Sequence, residues 1–168
     1  MPSRHDQGLD RIDLRARVDL YGFAIDTLRF DLLDLVFVDQ DLDLVIGGQT
    51  WTDREKLKVD YLAYHRDFFA TQHVMTNMVC DIDGDTAQAV TYANWLLQGR
   101  DGPPWRGQGW YEDTFRREAD GWRIQRRRSG LLWDDGAQVP AALDDGTELA
   151  LTRNTLHASP LAAALLRR

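Results

Sequence analysis

The chain has 168 residues, with 20 lysines and arginines against 27 aspartates and glutamates, a net charge of −7 and an isoelectric point near 5.0. That balance argues against a nucleic-acid binder, which needs a basic face. The length suits one domain able to bury a core around a cavity, and the single cysteine, Cys80, excludes an intramolecular disulfide and fits a reducing compartment.

The segment Met1–Asp10 is polar, without the apolar stretch of a secretory signal, and reads as a tail. No run approaches the roughly 18 apolar residues that span a bilayer, so a cytoplasmic protein without membrane contact is expected. From Asp13 to about Leu33 the positions Leu14, Val18, Tyr21, Ile25, Leu28 and Leu32 step by three and four, which predicts an amphipathic helix. Gly22, Phe23, Phe30 and Leu33 form a second face, to which Asp26 belongs by angle. Spacing alone leaves Asp26 equally readable as a solvated edge. A short apolar run at Leu35–Phe37 leads to a strand through Leu42, Leu44 and Ile46, closed by Gly47-Gly48. Thr52-Asp53 before Arg54-Glu55 marks a helix start. That helix is expected to carry Leu57, Tyr61, Tyr64 and Phe68 and to end near Ala70.

Four longer strands follow, over about 73–82, 86–97, 108–117 and 122–132, joined by Asp83-Gly84-Asp85, by the loop 99–104 and by Ala119-Asp120-Gly121. Two hairpins in series behind N-terminal helices predict an α+β fold with a bent antiparallel sheet. From Asp134 to Arg168 the chain changes character; it is expected to cap a pocket or pack on a neighbouring subunit, with a short helix near Leu161–Leu166, a loosely ordered tail being the alternative. The domain proper then covers 11–133.

Asp26, His73 and Arg127 are the residues with chemistry to offer. An imidazole titrates near neutral pH and can move protons; a carboxylate can orient it, and a guanidinium stays cationic beside developing negative charge. Arg127 is one of three consecutive arginines, and alternation does not say which of Arg126, Arg127 and Arg128 faces inward. If Trp122 and Arg127 share a face, five residues being an odd step, a bulge must lie between them. Other patterns fail. Asp81–Asp85 has its glycine too early for a calcium loop, with Tyr92 where glutamate is required. Zinc-ligand spacing and a phosphate-binding glycine loop are missing. Cys80 reads as a small core residue. His5, His65, on an exposed-looking helix, and His157 are assigned no role.

Four segments resemble the SnoaL-like branch of the nuclear-transport-factor-2-like superfamily. Tyr21 with Asp26 matches a tyrosine followed five residues later by aspartate on the first helix. Thr71-Gln72-His73 with Asn77 is similar to the histidine segment of scytalone dehydratase, lindane dehydrochlorinase and bile-acid 7α-dehydratase. Gly109-Trp110-Tyr111-Glu112-Asp113 matches a glycine, tyrosine and acidic pattern, and Asp120-Gly121-Trp122-Arg123-Ile124 is followed by Arg127, where dehydratase-like members place a catalytic arginine. The chain departs from scytalone dehydratase where a second histidine is expected on the next strand; Tyr92 or Asn94 stands near there.

The resemblance implies a cone-shaped sheet enclosing a pocket. Its site would comprise Asp26, His73, Arg127 and Tyr21 as catalytic groups, with Asn77, Tyr92 and Asn94 in the pocket; Phe23, Trp95 and Trp110 read either as pocket walls or as plain core packing. It implies a cofactor-independent dehydratase-like lyase or an isomerase acting on a small hydrophobic cyclic substrate such as a steroid or polyketide, in a homo-oligomer, dimer or trimer. A polyketide cyclase, and a non-catalytic small-molecule binder or dioxygenase small-subunit-like module, are the alternatives.

Overall fold

The computed structural model describes residues 4–135 and 160–165. Helix α1 (Arg4–Asp26) is longer at its start and shorter at its end than the periodicity suggests. Its N-terminal part belongs to the domain: Asp10 pairs with Arg117 at 2.7 Å and accepts from the Trp122 indole at 3.0 Å. At the other end the chain leaves the helix through a Schellman arrangement. Leu28 N–H donates to the Ile25 carbonyl at 3.1 Å and Arg29 N–H to the Ala24 carbonyl at 2.9 Å. Leu28 occupies the left-handed position that glycine normally fills, with φ at 55°. Without a glycine to announce the stop, Leu28 and Leu32 extend the apolar period past the true end. A 3-10 turn, Phe30–Leu35, follows.

Strands β1 (Asp43–Ile46) and β2 (Gln49–Trp51) form a small hairpin. Helix α2 (Arg54–His65) starts at Asp53, whose side chain accepts the Lys56 N–H at 2.9 Å, and ends five residues before the expected Ala70. Strands β3 (Ala70–Asp83), β4 (Thr86–Gln98), β5 (Trp105–Glu118) and β6 (Gly121–Asp134) complete a curved, unclosed six-stranded sheet, ordered β2-β1-β6-β5-β4-β3. The long strands pair antiparallel as the hairpin signals predict. The β1–β6 pairing is parallel, a long-range contact that local pattern does not announce.

One face of the sheet packs against α1 and the turn after it. Leu14, Val18, Tyr21 and Ile25 of α1 meet Met75, Ala89, Ala93, Tyr111, Phe115, Trp122 and Ile124 in a single core. On the opposite face Val90 and Trp110 pack with Ala162 of α3 (Pro160–Leu165). The described part of the C-terminal segment therefore covers the sheet from outside, not the helix-covered side. The rest of that segment, His157 included, lies outside the described residues.

Candidate active site

Position along α1 brings Tyr21 and Asp26 over the sheet, and glycine allows the approach. A Cβ on Gly22 would stand 3.0 Å from the His73 carbonyl oxygen and 3.5 Å from the His73 Cβ. Alanine there would add roughly 1 kcal/mol of helix propensity yet push β3 away from α1. Gly22→Ala is therefore expected to lower any His73-dependent rate about tenfold, because reacting groups tolerate little displacement, with little loss of stability. Unchanged kinetics in that variant would show that the close approach does not matter.

At the last position of α1, the Asp26 carboxylate takes three donors from β3. Oδ1 accepts from His73 Nδ1 at 2.7 Å and from the Thr71 hydroxyl at 3.0 Å, while Oδ2 accepts the His73 backbone N–H at 2.7 Å. As β3 is an edge strand, that backbone bond also covers part of its free edge. Burial raises the Asp26 carboxyl, but the bonds and charge of His73 and the Thr71 hydroxyl outweigh it and hold the group below its ordinary 3.8. An ionised carboxylate can only accept, so the proton between the two residues sits on Nδ1. In neutral His73, Nε2 then carries the lone pair. The His73 side chain is 10% and that of Asp26 18% exposed, which leaves the ring reachable.

The sheet interior holds a second charged pair. Arg127 and Asp113 are cross-strand neighbours, both with fully buried side chains, joined by two bonds of 2.7 Å, from Nε and Nη2 to the two carboxylate oxygens. Burial disfavours the Arg127 cation, yet the charge and hydrogen bonds of Asp113 reverse that effect and keep it charged. Its guanidinium lies 4.3 Å from the Tyr21 ring centre and 4.2 Å from that of Tyr111, and Nη1 has no hydrogen-bond partner among the described residues. Arg127 faces inward through a bulge: Arg126 pairs with Thr114 but Ile124 with Phe115, leaving Gln125 as the extra residue. Trp122 and Arg127 consequently share the buried face, while Arg126 and Arg128 pair outside with Asp43.

Aromatic rings connect the two pairs. Tyr21 and Tyr61 hydroxyls are 3.1 Å apart, and burial drives the Tyr21 and Tyr111 hydroxyls well above 10.0. Tyr61 touches His65 with ring centres 5.3 Å apart, and His65 stands 6.2 Å from His73. The sequence pattern suggests His65 on an exposed helix without a role. Instead it is 7% exposed, and its Nδ1 lies 2.9 Å from the Tyr61 carbonyl. The missed signal is the four-residue step Leu57, Tyr61, His65, all buried, whereas Tyr64 is exposed. Asp113 was likewise overlooked as a functional group.

Burial, helped by the charge of His73, lowers the His65 pKa from 6.5 despite opposing effects of the Tyr61 carbonyl and Asp26. The unfolded chain thus binds this proton first as pH falls. The stabilisation is complete above 6.5 and is lost as pH drops through the lower folded value. Wild type is expected to lose more stability between about pH 7.5 and 5 than His65→Phe, as read by denaturant unfolding; equal losses would contradict this.

Several expected lining residues are elsewhere. Phe23 is 67% exposed on the outer side of α1, and Asn77 is exposed as well. Tyr92, Asn94 and Trp110 point to the sheet face away from α1, because their alternating neighbours Thr91, Ala93 and Tyr111 face the core. Trp95 pairs with His73 in register and shares its face, packed over Gly107. Two open depressions, of about 330 and 220 Å³, lie around Asn94 and Gln108, and the His73 side chain lines neither. No cluster of three metal-binding side chains occurs among the described residues, and none of their helices is long and apolar enough to cross a membrane.

Comparison with known proteins agrees with this architecture. The SnoaL-like domain family matches residues 7–128. The uncharacterized protein Rv2910c of Mycobacterium tuberculosis is 35% identical over 121 residues, spanning 70% of this chain and 82% of the relative. Among solved structures, the Kfla4162 protein of Kribbella flavida is 26% identical, with a TM-score of 0.73 over 79% of this chain and 97% of the other. A protein provisionally named scytalone dehydratase from Novosphingobium aromaticivorans is 18% identical, with a TM-score of 0.72 over 80% and 92% of the two chains, a likeness of fold. The chain belongs to the SnoaL-like family, with the fold of the nuclear-transport-factor-2-like superfamily.

Proposed function

We propose that this SnoaL-like protein is a lyase that removes a carbon-bound proton from a hydrophobic cyclic substrate and, in the simplest case, eliminates water. The observation that supports it is the 2.7 Å contact between His73 Nδ1 and Asp26, which leaves Nε2 as the basic nitrogen. His73 Nε2 takes a proton from the carbon next to a carbonyl, and Asp26 stabilises the resulting imidazolium. The released electron pair delocalises onto the carbonyl oxygen as an enolate. It then forms the new carbon–carbon double bond as the neighbouring C–O bond breaks. The departing hydroxide collects the proton from His73 and leaves as water, so the imidazole returns to its starting state.

Tyr21 is the hydroxyl donor in this scheme, working with Tyr61, to which it is bonded. Arg127 lies behind the Tyr21 and Tyr111 rings, so its charge stabilises the enolate through them and not by direct contact. Trp95 is the one proposed wall residue that shares the His73 face. Isomerisation and cyclisation begin with the same proton transfer, and steroid-like or polyketide-like rings suit the aromatic surround.

The test is incubation with a panel of cyclic β-hydroxy ketones in D2O, following enone absorbance and deuterium uptake next to the carbonyl. Protein-dependent enone formation is expected. Absence of both signals across the panel would favour a non-catalytic binding module.

A further inference from the structure

His65 is the buried titratable group that this scheme leaves without a task. A carbonyl oxygen only accepts, so the 2.9 Å contact with Tyr61 places the His65 proton on Nδ1. Nε2, across the ring, then bears a lone pair in the neutral form, and the Tyr61 carbonyl contact leaves that nitrogen unengaged. The ring is walled by Phe30 at 6.0 Å, Tyr61 at 5.3 Å, Tyr64 at 4.9 Å and Phe68 at 6.3 Å between centres, with His73 at 6.2 Å on its remaining side. The titratable groups around it are Tyr61 and Tyr64 from its own helix, His73 from β3 and Asp26 from α1. None of these is a cation that would donate to Nε2 while His73 is neutral.

An acceptor held in an aromatic surround, next to a base, selects for a donor on the ligand. We propose that His65 is a substrate-recognition residue whose Nε2 accepts a hydrogen bond from a hydroxyl of the ligand bound against His73, so that the site prefers cyclic alcohols to the corresponding ethers. The inference rests on the reading of His73 as the base. Burial, which lowers the His65 pKa from its ordinary 6.5, favours the neutral, accepting ring. An acceptor that the bound ligand covers and leaves unpaired disfavours a ligand without the donor, which is how a site built around one hydrogen bond discriminates.

The test uses two probes, cyclohexanol and methoxycyclohexane, titrated into protein with 15N-labelled histidine at pH 7.5. Cyclohexanol is expected to shift the His65 Nε2 resonance and to bind about tenfold more tightly than the ether, the worth of one such bond. His65→Phe, which keeps an aromatic ring, is expected to lose that preference, and His65→Gln, which keeps an acceptor oxygen, to retain part of it. Equal responses to the two probes, no response at His65, or a preference surviving in His65→Phe would overturn the proposal. The resonance is read in wild-type protein, so the result does not depend on a variant folding. Deuterium uptake from cyclic ketones reports His73 separately, so failure at His65 is distinguishable from failure of the base.

Discussion

Replacing His73 by alanine is expected to slow elimination from a cyclic β-hydroxy ketone by roughly a hundred- to ten-thousandfold, the usual worth of a positioned general base. The loss should fall on kcat, because the imidazole acts on a proton that moves only in the transition state. Stability should change little by comparison, since the His73 backbone N–H that Asp26 accepts remains in the variant. Asp26→Asn should follow in the same direction. An amide side chain can donate as well as accept, so it no longer fixes the proton on Nδ1. Wild-type turnover by His73→Ala would remove the base from the scheme whatever the substrate.

The second large effect concerns stability. Asp113→Ala is expected to cost about 3–5 kcal/mol, because it strands the fully buried Arg127 charge without its counter-ion. For a chain of this length that corresponds to a fall in Tm of roughly 6 to 20 °C. Replacing both partners together, Asp113→Leu with Arg127→Met, should recover most of the loss, since paired apolar residues of similar volume often match a buried ion pair. Thermal unfolding of the single and double variants measures both. If Asp113→Ala unfolds within about 1 kcal/mol of wild type, the pair contributes little, and the guanidinium must be satisfied another way.

How much of this was legible in the sequence depends on the range of the interaction. The hairpin strands follow from local turn residues such as Asp83-Gly84-Asp85, and their ends lie close to the expected positions. The end of α1 did not, because Leu28 takes the left-handed cap position without glycine. The inward turn of Arg127 needed a bulge, and its place at Gln125 is fixed by β5–β6 register, which spacing along one strand does not contain. Alternation did carry one unused constraint: Asn94 and Trp95 are adjacent, so in a regular strand they cannot line the same surface. Tyr92 and Asn94, suggested by resemblance, and Trp110, read as a wall or core residue, all lie where parity sends them to the other face. His65 was visible in the step from Leu57 through Tyr61, but its approach to His73 depends on how α2 sits against β3. Asp113 meets Arg127 only through the sheet.

The orientation of one imidazole by one carboxylate supports the rest, and 15N spectra of labelled histidine test it most directly. In the neutral form of His73 we expect Nδ1 protonated and Nε2 bare, with that preference weakened in Asp26→Asn. A wild-type protein in which Nε2 carries the proton, or in which the two tautomers exchange without preference, would contradict the account.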